Sequence, residues 1–549
     1  MRIARHRGGL TCTVALLLCI ASPGAGQQSD IQKLVLAGQF EEMRWPSFAD
    51  YRTSLQELYE PAGFLPVWLT VEQPTPTALS MIEIFRKANE KGLDPEDYDA
   101  PRWKDRIEVL KQQPSTLLEA RFDVALSVSA MRYITALHSG RMNPRHVSWA
   151  TFDEKRIDPA AFLREQVIGS PDLNATLAAI EPQFPAYRQT EQALMHYIEL
   201  ARLDDGEKLP GTRRTIEPGE TYIGVPRLIR LLRLLGDLPG ESTVPPDSQI
   251  YDAELVNAVK HFQRRHGLDD DGRLGAATLR QLNVPLQHRV RQLQLALERW
   301  RWLPNTFTAP PIFVNIPDFR LRALDQNTRT ALEMRVVVGR SVRTQTPVFS
   351  AEITHLVFRP YWNVPRGIRR NEVLPEIERD RGYLAKKNFE VTTWDGQIVT
   401  AGPVSDDVLT QLWEGKLTVR QKPGSGNSLG LVKLVFPNRK NVYLHDTPSR
   451  RLFLRSRRDF SHGCIRVEKP AELAAWVLRN NPGWTLERVR EAMESGEDDV
   501  TVRLTTRTPV HIVYGTALVY DDGEVHFSDD IYGFDARLSD VLAKGYPYP

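Results

Sequence analysis

The residues around Cys464 are of types that could perform covalent catalysis. The segment 458–467 reads RDFSHGCIRV. A thiolate is a strong nucleophile, but a free thiol with a pKa of about 8.5 is mostly protonated at neutral pH. An imidazole that takes the thiol proton produces a thiolate–imidazolium pair. Two histidines are candidates for this base: His462, two positions before the cysteine, and His445, which ends an apolar segment nineteen positions before it.

The backbone next to the cysteine suits a developing negative charge. Gly463 directly precedes Cys464, and glycine lets the main chain turn tightly and approach a substrate closely. The N–H groups of these two residues are therefore candidates for an oxyanion hole. A cysteine with two histidines also suits zinc, but the sequence has neither an HExxH motif nor paired CxxC motifs. We therefore expect a nucleophilic cysteine and no metal.

The chain around Cys464 has the pattern of a β-rich domain. Apolar segments bounded by turn residues predict strands at 312–316, 334–338, 354–358, 431–436, 441–444, 500–504 and 510–520. A helix is predicted at 471–479, and Asp522-Gly523 predicts a hairpin onto 525–527. Residues 361–426 are rich in Pro, Arg and Gly and only weakly periodic, which indicates a flap or lid over a site rather than core. A neighbouring strand that ends at His445 would lie beside Cys464.

The chain before residue 291 is predominantly helical in pattern. Residues 30–209 predict a scaffold, because helices such as 117–137 carry no nucleophile–base pair or metal-ligand spacing. After a Pro- and Gly-rich stretch at 210–250, a compact unit begins in which Leu255, Val259 and Phe262 share one helical face. Its three aspartates do not form an EF-hand, because Thr278 occupies the position that needs glutamate.

The first 26 residues have the three-part pattern of an export signal. Three arginines precede an apolar stretch at 10–21, and small residues follow. A retained N-terminal anchor is the alternative, because no strong A-x-A cleavage site is present. Without this segment the chain has 68 basic residues (71 minus 3) and 69 acidic ones, and Cys464 is its one remaining cysteine. A lone cysteine excludes an intramolecular disulfide scaffold.

The composition sets further bounds. A chain of 549 residues with 41% hydrophobic and 26% charged residues indicates several globular domains. Its nearly balanced charge gives no reason to expect a nucleic-acid partner.

Several motifs together resemble one enzyme family. The segment Ser461-His462-Gly463-Cys464-Ile465-Arg466-Val467, with His445 upstream, resembles the signature of L,D-transpeptidases of the YkuD fold. The similarity extends to 362–365, 423–424, 427–430 and 443–448, and the unit at 220–285 resembles a three-helix peptidoglycan-binding module. The domain order is similar to the large YcbB-type subgroup. Two departures stand out: Asp446-Thr447 follows His445 where Gly-Ser or Gly-Thr is common, and Arg466 stands where Asn is frequent.

The resemblance implies a multi-domain α+β fold with a mainly-β catalytic domain. The expected divisions are a signal or anchor at 1–26, a helical scaffold at 27–215, a peptidoglycan-binding domain at 216–290, a helical linker at 291–311, a catalytic domain at 312–536 with its lid at 361–426, and a tail at 537–549.

The resemblance also implies a reaction and roles for the residues. Cys464 would be the nucleophile and His445 the base, Gly463 would supply the oxyanion hole, and Ser461 and His462 would support the loop. Arg466, Tyr443 and Trp362 would contact substrate.

The expected activity is 3→3 cross-linking of peptidoglycan through a thioester, with hydrolysis or attachment of a lipoprotein to the wall as alternatives and a non-catalytic wall-binding scaffold as a further one. No cofactor is expected. The expected partners are stem peptides and other cell-wall synthesis enzymes, in a Gram-negative periplasm.

Overall fold

The computed structural model describes residues 28–70, 73–144, 150–152 and 155–546. The predicted export segment lies outside these ranges. The N-terminal domain is built from eight α-helices and three two-residue strands: α1 (Asp30–Ala37), α2 (Arg52–Tyr59), β1 (Leu69–Thr70), β2 (Gln73–Pro74), α3 (Pro76–Arg86), α4 (Trp103–Gln112), α5 (Thr116–Ser139), β3 (Ala150–Thr151), α6 (Pro159–Phe162), α7 (Leu173–Ala178) and α8 (Pro185–Leu203). Among the described residues, no helix combines the length and apolarity needed to cross a membrane.

Helix α5 is the centre of the scaffold core and confirms the helix predicted at 117–137. Two thirds of its residues are buried, because other helices surround it on most sides. Its one buried carboxylate, Asp123, accepts hydrogen bonds from the Tyr59 hydroxyl (2.7 Å) and from the N–H groups of Val67 (3.0 Å) and Trp68 (2.8 Å). Burial nevertheless raises the pKa of Asp123 to about 6.

Three helices form the next unit: α9 (Val225–Leu234), α10 (Ala253–Arg265) and α11 (Ala276–Leu282). The predicted apolar face of α10 is buried in this unit's own core. The unit also contacts the domain that begins at residue 312, which the sequence predicts to be catalytic and which is called the catalytic domain for that reason. The two ring nitrogens of His261 lie 2.6 Å from Asp237, within the unit, and 2.6 Å from Glu524 of the catalytic domain.

Helix α12 (Leu286–Trp300) joins the unit to the catalytic domain and crosses the boundary expected at 290. It packs against α8 and against the C-terminal hairpin, so all three share one apolar cluster.

The catalytic domain contains a closed β-barrel. Its first strands are β4 (Ile312–Asn315), β5 (Arg320–Leu324), β6 (Thr330–Gly339) and β7 (Val348–Phe358), and its later ones are β12 (Val432–Val435), β13 (Leu444–His445), β15 (Ile465–Val467) and β16 (Val500–Val513). The strand order is β12-β13-β15-β6-β5-β4-β16-β7, and β7 also pairs with β12. The sheet therefore closes on itself, which removes its free edges. β14 (Asp459–Ser461) pairs with β6, and β3 of the scaffold pairs with β7.

The remaining elements of this domain lie around the barrel: α17 (Pro470–Val477), α18 (Leu486–Glu494), β17 (Ala517–Val519), β18 (Val525–Phe527) and α19 (Phe534–Leu542). The helix predicted at 471–479 and the hairpin at Asp522-Gly523 are confirmed, because α17 occupies the first and β17 pairs with β18 across the second.

Several strand predictions need correction. β5 was missed, although its arginines alternate with the buried Leu321 and Ala323. The strands expected at 500–504 and 510–520 are divided differently. A single strand, β16, covers 500–513 with a polar and irregular middle, and β17 is a separate strand after it. The expected strand at 441–444 is reduced to β13. The tail expected from 537 belongs to the catalytic domain, because Leu538 and Leu542 of α19 are buried in its core.

The 361–426 insertion is an ordered subdomain. It comprises β8 (Trp362–Asn363), α13 (Arg366–Ile368), α14 (Leu374–Arg379), α15 (Tyr383–Lys386), β9 (Phe389–Thr392), β10 (Ile398–Thr400), α16 (Asp406–Glu414) and β11 (Thr418–Gln421). Its four strands form their own sheet, and its apolar side chains form their own core. The insertion is therefore separate from the barrel core, and it has a small core of its own that its weak periodicity did not indicate. Short, irregular elements hid the apolar pattern.

Candidate active site

The candidate site is on two neighbouring parallel strands. In the register of β13 and β15, Leu444 pairs with Ile465 and His445 pairs with Arg466. Leu444 and Ile465 are fully buried in the barrel core. Because side chains alternate along a strand, Tyr443, His445, Cys464 and Arg466 share the opposite face. Because His445 pairs with Arg466, Cys464 is the diagonal neighbour of His445 across the two strands.

The turn before the cysteine requires a glycine. Gly463 has φ of +116°, a backbone conformation that residues other than glycine rarely adopt. The Gly463 carbonyl accepts a hydrogen bond from Thr346 Oγ1 (2.8 Å), and Thr346 Oγ1 also accepts one from the Gly339 N–H (2.8 Å). Thr344 Oγ1 donates to the Ser461 carbonyl (3.1 Å). The loop between β6 and β7 therefore fixes the cysteine turn, and no sequence signal had pointed to it.

The oxyanion hole expected from Gly463 and Cys464 is only partly available. The Gly463 N–H donates to Ser461 Oγ (3.0 Å), and Ser461 Oγ donates in turn to the Cys464 carbonyl (2.6 Å). This serine hydrogen-bonds within the loop, and the Gly463 N–H is therefore already used as a donor. For the Cys464 N–H, the described residues supply no acceptor. This amide is the free main-chain donor beside the thiol.

Cys464 is half-buried, and its thiol is not bonded to a histidine. Its Sγ lies 3.7 Å from the Asn441 carbonyl oxygen, to which the thiol donates. Burial raises the pKa of the thiol, and contacts with Tyr443 and the charge of Arg466 oppose that rise only in part. The substrate-free site therefore holds a neutral thiol.

His445 is 4% exposed and neutral. Burial and then the charge of Arg466 lower the pKa of His445 to about 3, although the carbonyls of Asp446 and Leu429 favour the protonated ring. The Nδ1 atom lies 2.5 Å from the Asp446 carbonyl oxygen. A carbonyl only accepts, so Nδ1 carries the hydrogen and Nε2 keeps its lone pair. This is the tautomer that a base needs.

Two of the three expected substrate contacts lie beside the cysteine. The Tyr443 ring is 5.7 Å from the His445 ring, and Tyr443 contacts Cys464 closely enough to raise the pKa of its own hydroxyl beyond the effect of burial. Arg466 is half-buried, and its Nε atom has no hydrogen-bond partner among the described residues. Trp362 instead packs on the core of the insertion, with its ring 6.1 Å from that of Phe389.

His462 connects the cysteine turn to the insertion. Its Nε2 atom lies 2.6 Å from Glu372 Oε1, with the two side chains 29% and 50% exposed. The hydrogen-bond partner of His462 therefore lies ninety residues earlier in the chain and not within the cysteine loop. Within the described ranges, no group of three or more His, Cys, Asp or Glu side chains is arranged to hold a metal ion.

Fold and site define a class of protein: helical domains attached to a β-barrel catalytic domain, with a half-buried cysteine and a buried histidine on adjacent strands. Residues 310–512 match the family described as "L,D-transpeptidase catalytic domain" (YkuD). Residues 224–282 match "Putative peptidoglycan binding domain", and residues 53–194 match "Scaffold domain". The three matches follow one another in the order in which the structure arranges its domains, and the longest of them covers less than half of the chain.

A relative from Haemophilus influenzae, named "Putative L,D-transpeptidase", is 33% identical over 253 residues. The aligned region is 45% of this chain and 49% of the relative. This chain therefore matches about half the length of that relative.

Proposed function

We propose that the protein is a peptidoglycan L,D-transpeptidase that forms 3→3 cross-links through a thioester on Cys464. The observation that carries the proposal is the shared face of β13 and β15, which holds a thiol, a neutral imidazole and a guanidinium side by side. The match of residues 310–512 to the L,D-transpeptidase catalytic domain supports the reaction class, and the peptidoglycan-binding match supports the substrate.

The reaction has two steps that balance without a cofactor. The Cys464 sulfur attacks the carbonyl carbon of diaminopimelate, the third residue of a tetrapeptide stem, and His445 Nε2 takes the thiol proton. The C–N bond to the terminal D-Ala then breaks, and the leaving amine takes the proton. In the second step, the side-chain amine of a neighbouring stem attacks the thioester, and the sulfur leaves and is protonated again.

The surrounding groups have defined tasks in this scheme. The Cys464 N–H donates to the oxyanion of each tetrahedral intermediate. Arg466 binds a carboxylate of the stem, because its guanidinium lies half-buried beside the cysteine with an unused donor. From the basic and apolar pattern of residues 1–26, we also propose that the enzyme acts in the periplasm, with or without an anchor, near other cell-wall synthesis enzymes.

The test is to incubate the purified protein with disaccharide-tetrapeptide and analyse the products by mass spectrometry. We expect free D-Ala and a tetrapeptide–tripeptide dimer. Cys464→Ala should give neither product, and His445→Gln should lower the rate of both steps. Tripeptide monomer alone would replace transfer by hydrolysis. Full activity of Cys464→Ala would refute the nucleophile.

A further inference from the structure

Asp446 follows His445 directly and has no part in the scheme above. It is 3% exposed, although carboxylates are rarely buried without a reason. It is also one of the two positions at which the sequence departs from the commoner family pattern. We propose that Asp446 and Arg450 are positioning residues that hold His445 in its basic tautomer and in register with Cys464. The inference rests on the proposed function, in which His445 is the base.

The Asp446 carboxylate is held at both oxygens. Oδ2 accepts from the Leu431 N–H (2.8 Å), and Oδ1 accepts from the Thr447 N–H (2.6 Å) and from Arg450 Nη2 (2.6 Å). The main-chain N–H of Asp446 donates to the Val432 carbonyl (2.9 Å). These bonds fix the peptide unit on both sides of the Cα atom.

The neighbouring chain leaves the carboxylate no room to move. Gly430 has φ of +61°, and a Cβ atom there would lie 2.3 Å from the Asp446 carboxyl group. The glycine therefore serves two needs at once, a left-handed turn and a close approach. The carboxylate is clamped between this turn and Arg450.

The fixed Asp446 peptide decides where the imidazole carries its hydrogen. Its carbonyl accepts from His445 Nδ1 (2.5 Å). If the carbonyl turned away, Nδ1 would lose its acceptor and the hydrogen could move to Nε2. That tautomer cannot take a proton from a thiol on Nε2. The side chain of Asp446 thus acts on the base through its own main chain.

Arg450 joins the base strand to the nucleophile strand. While its Nη2 donates to Asp446, its Nη1 donates to the Glu468 carbonyl (2.8 Å), and Glu468 directly follows β15. The Arg450 guanidinium therefore connects Asp446, next to the base, with Glu468 at the end of β15. Charge-assisted bonds of this kind are stronger than neutral ones. Loss of the connection lets the two strands shift relative to each other.

The test measures D-Ala release against tetrapeptide concentration for Asp446→Ala, Asp446→Asn, Arg450→Ala and Arg450→Lys. The matched control is Arg451→Ala, an exposed arginine on the same turn. We expect kcat to fall about a hundredfold in Asp446→Ala and about tenfold in Arg450→Ala, with KM within about twofold, because small misplacements of a catalytic group are costly. Arg450→Lys and Asp446→Asn should each recover part of the rate.

Two further measurements separate positioning from folding. The double variant Asp446→Ala/Arg450→Ala should be no slower than Asp446→Ala, because both act through one contact. The ¹⁵N spectrum of His445 should place the hydrogen on Nδ1 in the wild type and not in Asp446→Ala. Equal rates for Arg450→Ala and Arg451→Ala, or a wild-type tautomer in Asp446→Ala, would overturn the inference. A wild type that releases no D-Ala would refute the proposed function, and the spectrum would still decide the positioning role.

Discussion

The pKa values of the site predict that the free enzyme does not hold a thiolate–imidazolium pair. Burial lowers the pKa of His445 to about 3 and raises that of Cys464 above its ordinary range. The lowering from 6.5 to about 3 corresponds to about 5 kcal/mol against a protonated His445 ring. The raised pKa of the thiol adds to this cost, so the neutral thiol and the neutral imidazole should predominate.

The assay is alkylation of Cys464 by iodoacetamide between pH 5 and pH 10, followed by mass spectrometry of the peptide that contains this cysteine. The rate should rise tenfold with each pH unit to above pH 9, because only thiolate formed by bulk deprotonation reacts. His445→Gln should follow the same course. A free small thiol in the same buffers is the control and should level off near about pH 8.5.

A different profile would refute this reasoning. If the wild-type rate levelled off between pH 5 and pH 7, and if His445→Gln lost that plateau, the pair would exist before substrate binds. The expected result would mean that the Cys464 thiolate forms only after substrate binds. The tetrapeptide must then exclude water and supply charge that favours the thiolate.

Three further predictions follow from the contacts. Between pH 7 and pH 5, the free energy of unfolding should fall by about 2 kcal/mol more in the wild type than in His445→Gln. Below about pH 6.5, His445 binds a proton in the unfolded chain but not in the folded protein, where its pKa is about 3. Urea titrations of both proteins would measure this difference, and an equal fall in the two proteins would contradict it. Gly430→Ala should abolish D-Ala release, whereas Gly367→Ala, at which an added Cβ meets nothing within 4 Å, should not. Glu372→Gln should speed hydrogen exchange in the insertion by loosening its contact with the catalytic loop, whereas Glu376→Gln, whose carboxylate pairs with Arg379 inside the insertion, should leave the exchange rate unchanged.

The sequence predicted the reactive residues of the site better than the hydrogen bonds around them. The types and spacing of Cys464 and His445 indicated a thiol and a base, and the prediction of adjacent strands is confirmed by the pairing of β13 with β15. Spacing alone does not reveal that Ser461 occupies the Gly463 amide, because this depends on the rotamer of one hydroxyl. Nor does it reveal the partner of His462, which is a long-range contact.

The same limit applies to the fold. A long apolar helix such as α5 and an amphipathic helix such as α10 both have a strong local signal, so the scaffold and the three-helix unit were predicted well. The core of the insertion was not predicted because it comes from short elements, none of which contributes more than two of its buried apolar residues. Helix α19 was missed because only its packing on the barrel defines it as part of that domain.

The closed barrel has a consequence for the order in which the chain folds. β4 and β7 both pair with β16, which is made more than 140 residues after β7 ends. Both strands therefore lack this shared neighbour until the chain is nearly complete, whereas the insertion, which lies between β7 and β16 in the chain, already contains everything its core needs. Such non-local pairing slows folding. During synthesis, the insertion should become resistant to protease while β4 and β7, which precede it in the chain, are still open to attack.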